Sequence, residues 1–285
     1  MTILVTGASG HLGRLVVTEL LARGIAPDQI IATARTPEAI DDLGALGVTV
    51  RRADYSDPQS LKDAFAGADR LLLVSSSELG SRREQHRNVI DAALDAGVEL
   101  LAYTSILRAD TSTLLLAEEH QATEAMIIES GLPYAFLRNS WYHENYEAQL
   151  ATALEHHALL GSAGDGRVSA ASRVDYAAAA AVVIAGDGPW NRSYELAGDD
   201  SYTLTEYAET LSRLSGQEIA YVDQPAADYQ AVLESAGLPA PVAQILADAD
   251  LGVGRGELLD ESGTLSGLIG RPTTKLADAI TAALS

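Results

Sequence analysis

The sequence contains no cysteine and only two lysines, Lys62 and Lys275. The absence of cysteine excludes a disulfide framework, a thiolate metal site and a cysteine nucleophile. Apolar runs that approach the ~20 residues needed to span a bilayer are also missing, and no basic segment with a cleavage site follows Met1. We therefore expect a mature cytoplasmic protein that is not inserted into a membrane.

Positive charge is scarce as well, because 19 lysine and arginine residues stand against 40 aspartate and glutamate residues, a net charge of -21. A surface this acidic repels phosphate backbones, which argues against nucleic acid and anionic membranes as partners. Any anion that the protein binds must therefore be held by local groups. The 47% hydrophobic content over 285 residues excludes a disordered chain and is enough for a large core with a smaller lobe.

Short apolar, β-branched segments alternate with helix-length segments through the first half of the chain. Strands are predicted at residues 2–6, 30–34, 48–51, 70–74, 98–103 and 133–138, with helical spacing at residues 12–22, 61–65, 84–96 and 118–130. Apolar strands joined by helices indicate parallel crossovers covered on both faces. We predict an α/β fold, a Rossmann-type doubly wound parallel sheet with a smaller C-terminal α/β lobe.

The alternation loosens after Arg138. The later segments predict a helix over 141–156, a glycine-rich turn at 161–166, a buried helix over 172–185, a strand at 192–197, a capped helix from Thr203 and a last helix over 275–284. We predict a nucleotide-binding Rossmann domain over residues 1–140, which regains 170–198 as a late helix and strand. Residues 141–285 are predicted to form the smaller, substrate-binding lobe.

A glycine-rich loop, Gly7-Ala-Ser-Gly10-His-Leu-Gly13, follows the first predicted strand and opens a helix. In this context Gly7 makes a tight turn, Gly10 lets backbone N–H groups approach a pyrophosphate, and Gly13 lets the helix lie close to the sheet. A plain turn between strand and helix is the alternative. We predict a dinucleotide site that comprises Gly7, Ser9, Gly10, His11, Leu12 and Gly13.

The end of the second strand decides between NAD and NADP, since an acidic residue there binds the ribose 2′-hydroxyl and an arginine binds a 2′-phosphate. The segment Ala32-Thr-Ala-Arg35 offers a guanidinium and no carboxylate. Arg35 therefore predicts NADPH as the cofactor, against the alternative of an ordinary solvated arginine.

Short polar side chains follow three further strands. Asp54 fits either a contact with the adenine or the cap of a turn. Ser75, Ser76 and Ser77 follow the fourth strand and Thr104 and Ser105 follow the fifth, at the edge where a dinucleotide passes, although serine and threonine are common in turns. Arg173 either faces the ligand or pairs with Asp175.

The Tyr-x-x-x-Lys pair of alcohol-oxidising short-chain dehydrogenases is absent, because the residues four positions before Lys62 and Lys275 are Pro58 and Arg271. Carbonyl reduction through that pair is therefore excluded. Histidines do not form a metal site either: His156 and His157 are adjacent and would point about 100° apart on a helix.

Several segments together resemble the NmrA-like branch of the atypical short-chain dehydrogenases/reductases, and within it the bacterial NAD(P)H:quinone oxidoreductase 2 type. They are residues 6–13, 72–77, 86–90, 103–105, 120–124, 137–145 and 268–274, of which Leu137-Arg-Asn-Ser-Trp-Tyr142 is the most specific. The resemblance implies a Rossmann domain with a small lobe, NADPH binding, and reduction of a small quinone without flavin. A quinone accepts hydride readily and its product can be protonated by water, which agrees with the missing pair.

The resemblance also implies site residues. His120 would orient the cofactor or donate a proton, and Asn139, Tyr142 and Asn145 would hold the nicotinamide or the quinone oxygens. Arg138 and Asn139 would also contact the cofactor. Each has a structural alternative, a helix-surface histidine for His120 and loop-backbone partners for the others.

Two other functions remain open from the sequence. One is a non-catalytic NADP(H) sensor that passes its occupancy to a protein partner, and the other is a reductase of a different activated double bond. A sensor requires different affinities for NADP⁺ and NADPH, because a ligand pair of equal affinity shifts no equilibrium.

Overall fold

The strands form two sheets in the computed structural model, which describes residues 1–78 and 80–285. Their bounds are β1 Ile3–Val5, β2 Ile30–Ala34, β3 Thr49–Arg52, β4 Arg70–Leu73, β5 Leu100–Ile106, β6 Tyr134–Asn139, β7 Ala158–Gly161, β8 Arg192–Leu196 and β9 Ala220–Asp223. Within the described residues, seven strands form one sheet in the order β3-β2-β1-β4-β5-β6-β8, and β7 pairs with β9.

The ladders that join β1 to β5 are parallel. Strand β1 lies between β2 and β4, so Ile3 pairs with Ile30 on one side and with Arg70 on the other. Strands β2 and β3 and strands β4 and β5 are also parallel pairs. The strand order reverses between β1 and β4, and open sheets of this kind bind ligands beyond the carboxyl ends of the strands at that point. The predicted Rossmann-type α/β fold is confirmed.

Helices connect most of these strands. Their bounds are α1 His11–Ala22, α2 Asp41–Ala45, α3 Pro58–Phe65, α4 Arg82–Ala96, α5 Leu115–Ser130, α6 His143–Glu147, α7 Leu150–His156, α8 Arg173–Ala185, α9 Leu204–Ser215, α10 Ala226–Ser235, α11 Ala240–Gly254, α12 Thr264–Ile269 and α13 Leu276–Ala283. The predicted capping box at the start of α9 is present, with Thr203 and Glu206 each accepting from the other's backbone N–H. Among the described helices, none combines the length and apolarity needed to cross a membrane.

The chain divides into two units by its internal packing. Unit 1 comprises Met1–Ile106, Glu119–Arg138 and Arg173–Tyr194, and unit 2 comprises Leu107–Glu118, Asn139–Ser172 and Glu195–Ser285. The core of unit 1 lies between the sheet and helices α3, α4 and α5. Its largest side chains, Tyr103, Phe65 and Phe136, are fully or almost fully buried.

Helix α8 joins unit 1 from late in the chain. Residues 177–181 of this helix are all alanine and all buried, and these small side chains let α8 pack closely against α1. Arg70, at the start of β4, donates from Nη1 to the carbonyl oxygens of Ile184 at 2.9 Å and Gly186 at 2.6 Å. Its guanidinium also lies 5.2 Å from the centre of the Trp190 ring, so the end of α8 is anchored to the sheet.

Unit 2 contains the parallel pair β7 and β9, in which Ala158 is in register with Ala220. The sequence does not predict β7, because its residues Ala-Leu-Leu-Gly include no β-branched or aromatic side chain. Beside this pair, α10 and α11 enclose a small core that includes Tyr229 and Leu233 from α10.

The single helix predicted over residues 141–156 is wrong, because the structure has two helices there, α6 and α7. The backbone N–H of Gln149 donates to the carbonyl oxygen of Tyr146 at 3.0 Å, which is the tighter three-residue spacing. The Gln149 side chain donates to the Tyr229 hydroxyl at 2.9 Å. The helical segment is interrupted at residues 148–149, where this tertiary hydrogen bond holds Gln149.

Unit 2 also buries a carboxyl group in α11. Asp250 is only 4% exposed, and its Oδ2 accepts from the backbone N–H of Ser162 at 2.8 Å. Burial raises the pKa of Asp250 to about 7, although the hydrogen bond from Ser162 acts in the opposite direction.

Candidate functional site

The loop between β1 and α1 is a tight turn built from glycine. Gly7 has φ of 61°, in the left-handed region, and the N–H of Gly10 donates to its carbonyl oxygen at 2.9 Å. A Cβ atom at Gly13 would lie 2.5 Å from the same carbonyl oxygen. The tight turn predicted for Gly7 is therefore present, and Gly13 allows the start of α1 to lie close to the loop backbone of Gly7 and Ala8.

Helix α1 begins at this loop with free backbone donors. Its N-cap is Gly10, which has no side chain to accept from the first N–H groups, and its first turn holds no acidic residue. Four N–H groups at a helix start have no partner within the helix, and the helix dipole adds partial positive charge there. The start of α1 can therefore hold a phosphate.

A hydrogen-bonded bridge joins the carboxyl ends of β1 and β4 beneath this loop. The Tyr55 hydroxyl lies 2.5 Å from Oγ1 of Thr6 and 2.8 Å from the carbonyl oxygen of Val74. The N–H of Val74 donates to Thr6 Oγ1 at 3.0 Å. Burial raises the pKa of Tyr55 well above its ordinary value, so its hydroxyl keeps its proton. Tyr55 therefore fixes the strand ends in place.

A cavity of about 410 Å³ in unit 1 opens at the strand ends. The predicted cofactor residues that line it are Gly7, Ser9, Gly10, His11, Leu12, Gly13, Arg35, Ser75, Ser76 and Ser77. Asp54 and Arg173 line it as well, and so do three polar residues that no sequence pattern predicts, Tyr55, Glu78 and Gln85. The cavity thus combines a helix N-terminus, an arginine and short polar side chains.

Arg35 is the exposed cation of this cavity. It follows β2, and its Nη1 donates to Oε1 of Glu78 at 2.5 Å. The other carboxylate oxygen of Glu78, Oε2, accepts from Nε2 of Gln85 at 2.6 Å. Arg35 lies where the sequence predicts a group that binds a 2′-phosphate, and it is paired with a carboxylate.

Asp54 closes a turn, one of the two roles left open for it, and its contact with the adenine stays a prediction. Its Oδ1 accepts from the backbone N–H of Ser56 at 2.9 Å, which closes a turn, and the residue also lines the cavity. The N-cap of α3 is Asp57, which accepts from the N–H of Ser60 at 3.2 Å.

The loop after β4 is tied to unit 1 through its backbone. The N–H of Ser75 donates to Thr104 Oγ1 at 2.8 Å, and the N–H of Ser76 donates to Nε2 of His86 at 3.0 Å. Burial, with the Arg82 charge adding to it, lowers the pKa of His86 to about 3. His86 is therefore neutral near pH 7, and its Nε2 can accept this hydrogen bond.

The structure places His120 inside unit 1, where it is 5% exposed. Its Nδ1 lies 2.7 Å from the Tyr103 hydroxyl. Burial lowers the pKa of His120 well below its ordinary value, and the positive charge of Arg82 lowers it further. His120 is a neutral partner of Tyr103 and is outside the described lining of the cavity.

Ser105 and Arg138, two further predicted cofactor residues, meet at a buried carboxylate. Glu124 accepts from Nε of Arg138 at 3.0 Å and from its Nη2 at 2.7 Å, while Ser105 Oγ donates to it at 2.6 Å. All three residues are at least nine-tenths buried. These contacts supply the desolvated guanidinium with its counter-charge.

Asn139, Tyr142 and Asn145 lie close together in unit 2. Nδ2 of Asn139 donates to the Tyr142 hydroxyl at 3.3 Å, and the N–H of Asn145 donates to the carbonyl oxygen of Tyr142 at 3.1 Å. Asn139 is buried and Tyr142 and Asn145 are half-buried.

Among the described residues no group of three or more histidine, aspartate or glutamate side chains could hold a metal ion.

The chain is similar to proteins of known activity along its whole length. The family model for NAD(P)H-binding proteins matches residues 7–186. Quinone oxidoreductase 2 of Escherichia coli (strain K12) is 51% identical over 278 residues, which cover 98% of this chain and 97% of that protein. An NmrA-like family domain-containing oxidoreductase of Aspergillus flavus is 30% identical over 78% of this chain and 75% of that protein.

A solved structure has the same fold throughout. The NADPH-dependent quinone oxidoreductase of Escherichia coli, complexed with NADPH, matches with a TM-score of 0.97 and 49% identity, and the match covers 100% of both chains. The chain belongs to the NmrA-like family of NAD(P)H-binding proteins.

Proposed function

We propose that this protein is an NADPH-dependent quinone oxidoreductase that transfers hydride to a small quinone without flavin and without a Tyr/Lys pair. The observation that carries the proposal is the cavity of unit 1, where an uncapped helix start and Arg35 line one space. The 51% identity to a quinone oxidoreductase over nearly the whole chain supports the choice of reaction.

The residues of the cavity suit NADPH. The free N–H groups at the start of α1 would hold the pyrophosphate, and the guanidinium of Arg35 would hold the 2′-phosphate. When bound, NADPH supplies a hydride from its nicotinamide ring. Because the protein as a whole is strongly acidic, these local donors must provide the attraction that the general field opposes.

The chain positions the two reactants and leaves proton delivery to water. Quinone, NADPH and one proton give hydroquinone and NADP⁺, so that the hydride and the proton both end on the former quinone. We assign Asn139, Tyr142 and Asn145 to binding the quinone oxygens or the nicotinamide, and His120 to orienting the cofactor. Since His120 is neutral and buried, with a lowered pKa, orientation is favoured over proton donation.

The two units would divide this work. Unit 1 contains the cavity and takes the part predicted for the Rossmann domain, which is to bind NADPH. Unit 2 contains Asn139, Tyr142 and Asn145 and takes the part predicted for the substrate lobe.

The test mixes the purified protein with NADPH and 1,4-benzoquinone and follows the absorbance of the reduced nicotinamide at saturating concentrations of both. We expect NADPH oxidation that depends on enzyme and quinone, with hydroquinone formed in equal amount. Binding of NADPH without any quinone-dependent oxidation above the uncatalysed rate would disprove the proposed quinone oxidoreductase activity. If the protein then bound NADPH and NADP⁺ with different affinities, a non-catalytic NADP(H) sensor would become the favoured hypothesis.

A further inference from the structure

Glu78 forms an ion pair with Arg35, the exposed arginine that lines the cofactor cavity. It follows the three serines that come after β4, and its Oε1 accepts from Nη1 of Arg35 at 2.5 Å. Both side chains face solvent, with 43% of Glu78 and 68% of Arg35 exposed. An exposed ion pair of this kind is weak, so a ligand can displace it at a cost of up to about 5-fold in affinity.

The carboxylate of Glu78 is held in this direction by other residues. Gln85 is 4% exposed, and its Nε2 donates to Oε2 of Glu78 at 2.6 Å. Oε1 of Gln85 accepts from Ser76 Oγ at 2.5 Å, and the same Oγ accepts from the backbone N–H of Glu78 at 3.1 Å. A buried amide therefore fixes both the loop and the carboxylate that reaches Arg35.

Two anions would then require the same guanidinium. A 2′-phosphate carries close to two negative charges and forms its strongest contacts with arginine. It must displace Glu78 from Arg35 or bind beside a carboxylate, and either arrangement weakens its binding. A cofactor that has a 2′-hydroxyl instead offers a donor, which the Glu78 carboxylate beside Arg35 can accept.

We propose that Glu78 competes with the 2′-phosphate for Arg35, and that this competition sets the preference between NADPH and NADH. Glu78 weakens NADPH binding and supports the binding of NADH. The proposal rests on the proposed function, because it assumes that the cavity binds NADPH. The ligand class is the nicotinamide dinucleotide with or without a 2′-phosphate, and Gln85 is a positioning residue for Glu78.

Glu78→Gln tests the proposal because it keeps the shape of the side chain and removes its charge. Dissociation constants for NADPH and NADH are measured by titrating nicotinamide fluorescence at low ionic strength. We expect NADPH to bind about 5-fold more tightly and NADH somewhat more weakly, so the selectivity ratio rises about 10-fold. Glu38→Gln, an exposed glutamate outside the described lining, is the matched control and should change neither constant.

A thermodynamic cycle with Arg35→Gln shows whether Glu78 acts through Arg35. In that background, Glu78→Gln should no longer improve NADPH binding by more than about 2-fold. An equal improvement with and without Arg35, or an unchanged ratio in the single variant, would overturn the proposal. Glu78→Ala, with its melting temperature checked, repeats the measurement if the glutamine variant folds poorly.

The two proposals fail in different ways. If the wild-type protein does not bind NADPH at all, the proposed function fails and takes the role of Glu78 with it. If the wild-type protein binds NADPH and reduces quinone but Glu78→Gln leaves the selectivity ratio unchanged, only the role of Glu78 is wrong.

Discussion

Gly13 packs so closely against Gly7 that a Cβ atom at Gly13 would lie 2.5 Å from the Gly7 carbonyl oxygen. The same carbonyl oxygen accepts from the N–H of Gly10, so one peptide group fixes both the turn and the position of α1. The backbone donors at the start of α1 depend on this contact. Its loss should affect stability and cofactor binding together.

Gly13→Ala should therefore move the loop away from α1. We expect the free energy of unfolding to fall by about 1 to 3 kcal/mol, as overpacking does, and the affinity for NADPH to fall at least about 10-fold. Gly267→Ala is the matched control, because this helical glycine has open space around it. Its free energy of unfolding should rise by about 0.5 to 1 kcal/mol. Urea unfolding and NADPH titration measure both, and unchanged NADPH affinity in Gly13→Ala would contradict the role of the contact.

Arg35→Gln should separate the two cofactors. Removing a charge-assisted contact to the 2′-phosphate costs about 1.5 to 3 kcal/mol, so NADPH should bind about 10- to 100-fold more weakly. NADH lacks that phosphate and should change by less than about 3-fold. Arg52→Gln serves as the control, because Arg52 ends the next strand and pairs with Asp57 outside the described lining of the cavity. Equal losses for both cofactors would remove Arg35 from the 2′-phosphate site.

The glycine loop and Arg35 could be predicted from the sequence because both depend on local order along the chain. A strand, a glycine turn and a helix in succession leave the loop few conformations, and Arg35 directly follows a recognisable strand. Glu78 and Gln85 could not be predicted in the same way. Glu78 reaches Arg35 only because the sheet order brings the end of β4 near the end of β2, and Gln85 contacts Glu78 from α4. No local pattern marks either contact.

Asp250→Asn should stabilise the protein at alkaline pH. The pKa of Asp250 is about 7 in the folded state and 3.8 as its ordinary value, so between these values the folded state holds a proton that the unfolded state has released. Stability therefore falls as the pH rises through this range, by up to roughly 4 kcal/mol in total. The asparagine variant has no carboxyl group to ionise at this position, so it should not lose stability in this way as the pH rises.

We expect the free energy of unfolding of Asp250→Asn to exceed that of the wild type at pH 8 and to show a much smaller advantage at pH 4. Denaturant unfolding at several pH values measures the difference. Asp228→Asn, at an exposed position in α10, should show less than about 0.5 kcal/mol of pH-dependent difference. A difference for Asp250→Asn that does not vary with pH would contradict the raised pKa.

Arg138→Met should be strongly destabilising, because it leaves Glu124 charged, buried and without its guanidinium. Breaking a buried pair costs about 3 to 5 kcal/mol. Adding Glu124→Gln removes the stranded charge and should recover part of that loss. Arg167→Gln breaks an exposed pair with Glu206 and should cost less than about 1 kcal/mol. Unfolding in urea compares the variants, and a loss under about 1 kcal/mol for Arg138→Met would contradict a structural role.

The residues outside the cavity show what a sequence leaves undetermined. His120 and Tyr103 lie on a helix and a strand that the sequence predicts, yet their hydrogen bond depends on the distance and rotation of α5 relative to β5. The buried contacts of Glu124 with Ser105 and Arg138 depend on the same packing. Roles for His120, Ser105, Arg138, Asn139, Tyr142 and Asn145 in catalysis or cofactor binding stay predictions.

The late position of α8 constrains how the protein is made on the ribosome. In unit 1, the segment Arg173–Tyr194 covers α1 and supplies the carbonyl oxygens that accept from the buried guanidinium of Arg70. The rest of the unit has already been synthesised when translation reaches Arg138. At about 5 to 20 residues per second, translation takes about 3 to 11 seconds to deliver that segment. During this interval α1 lacks the segment that covers it in the folded protein, so the nascent chain exposes an apolar face of α1.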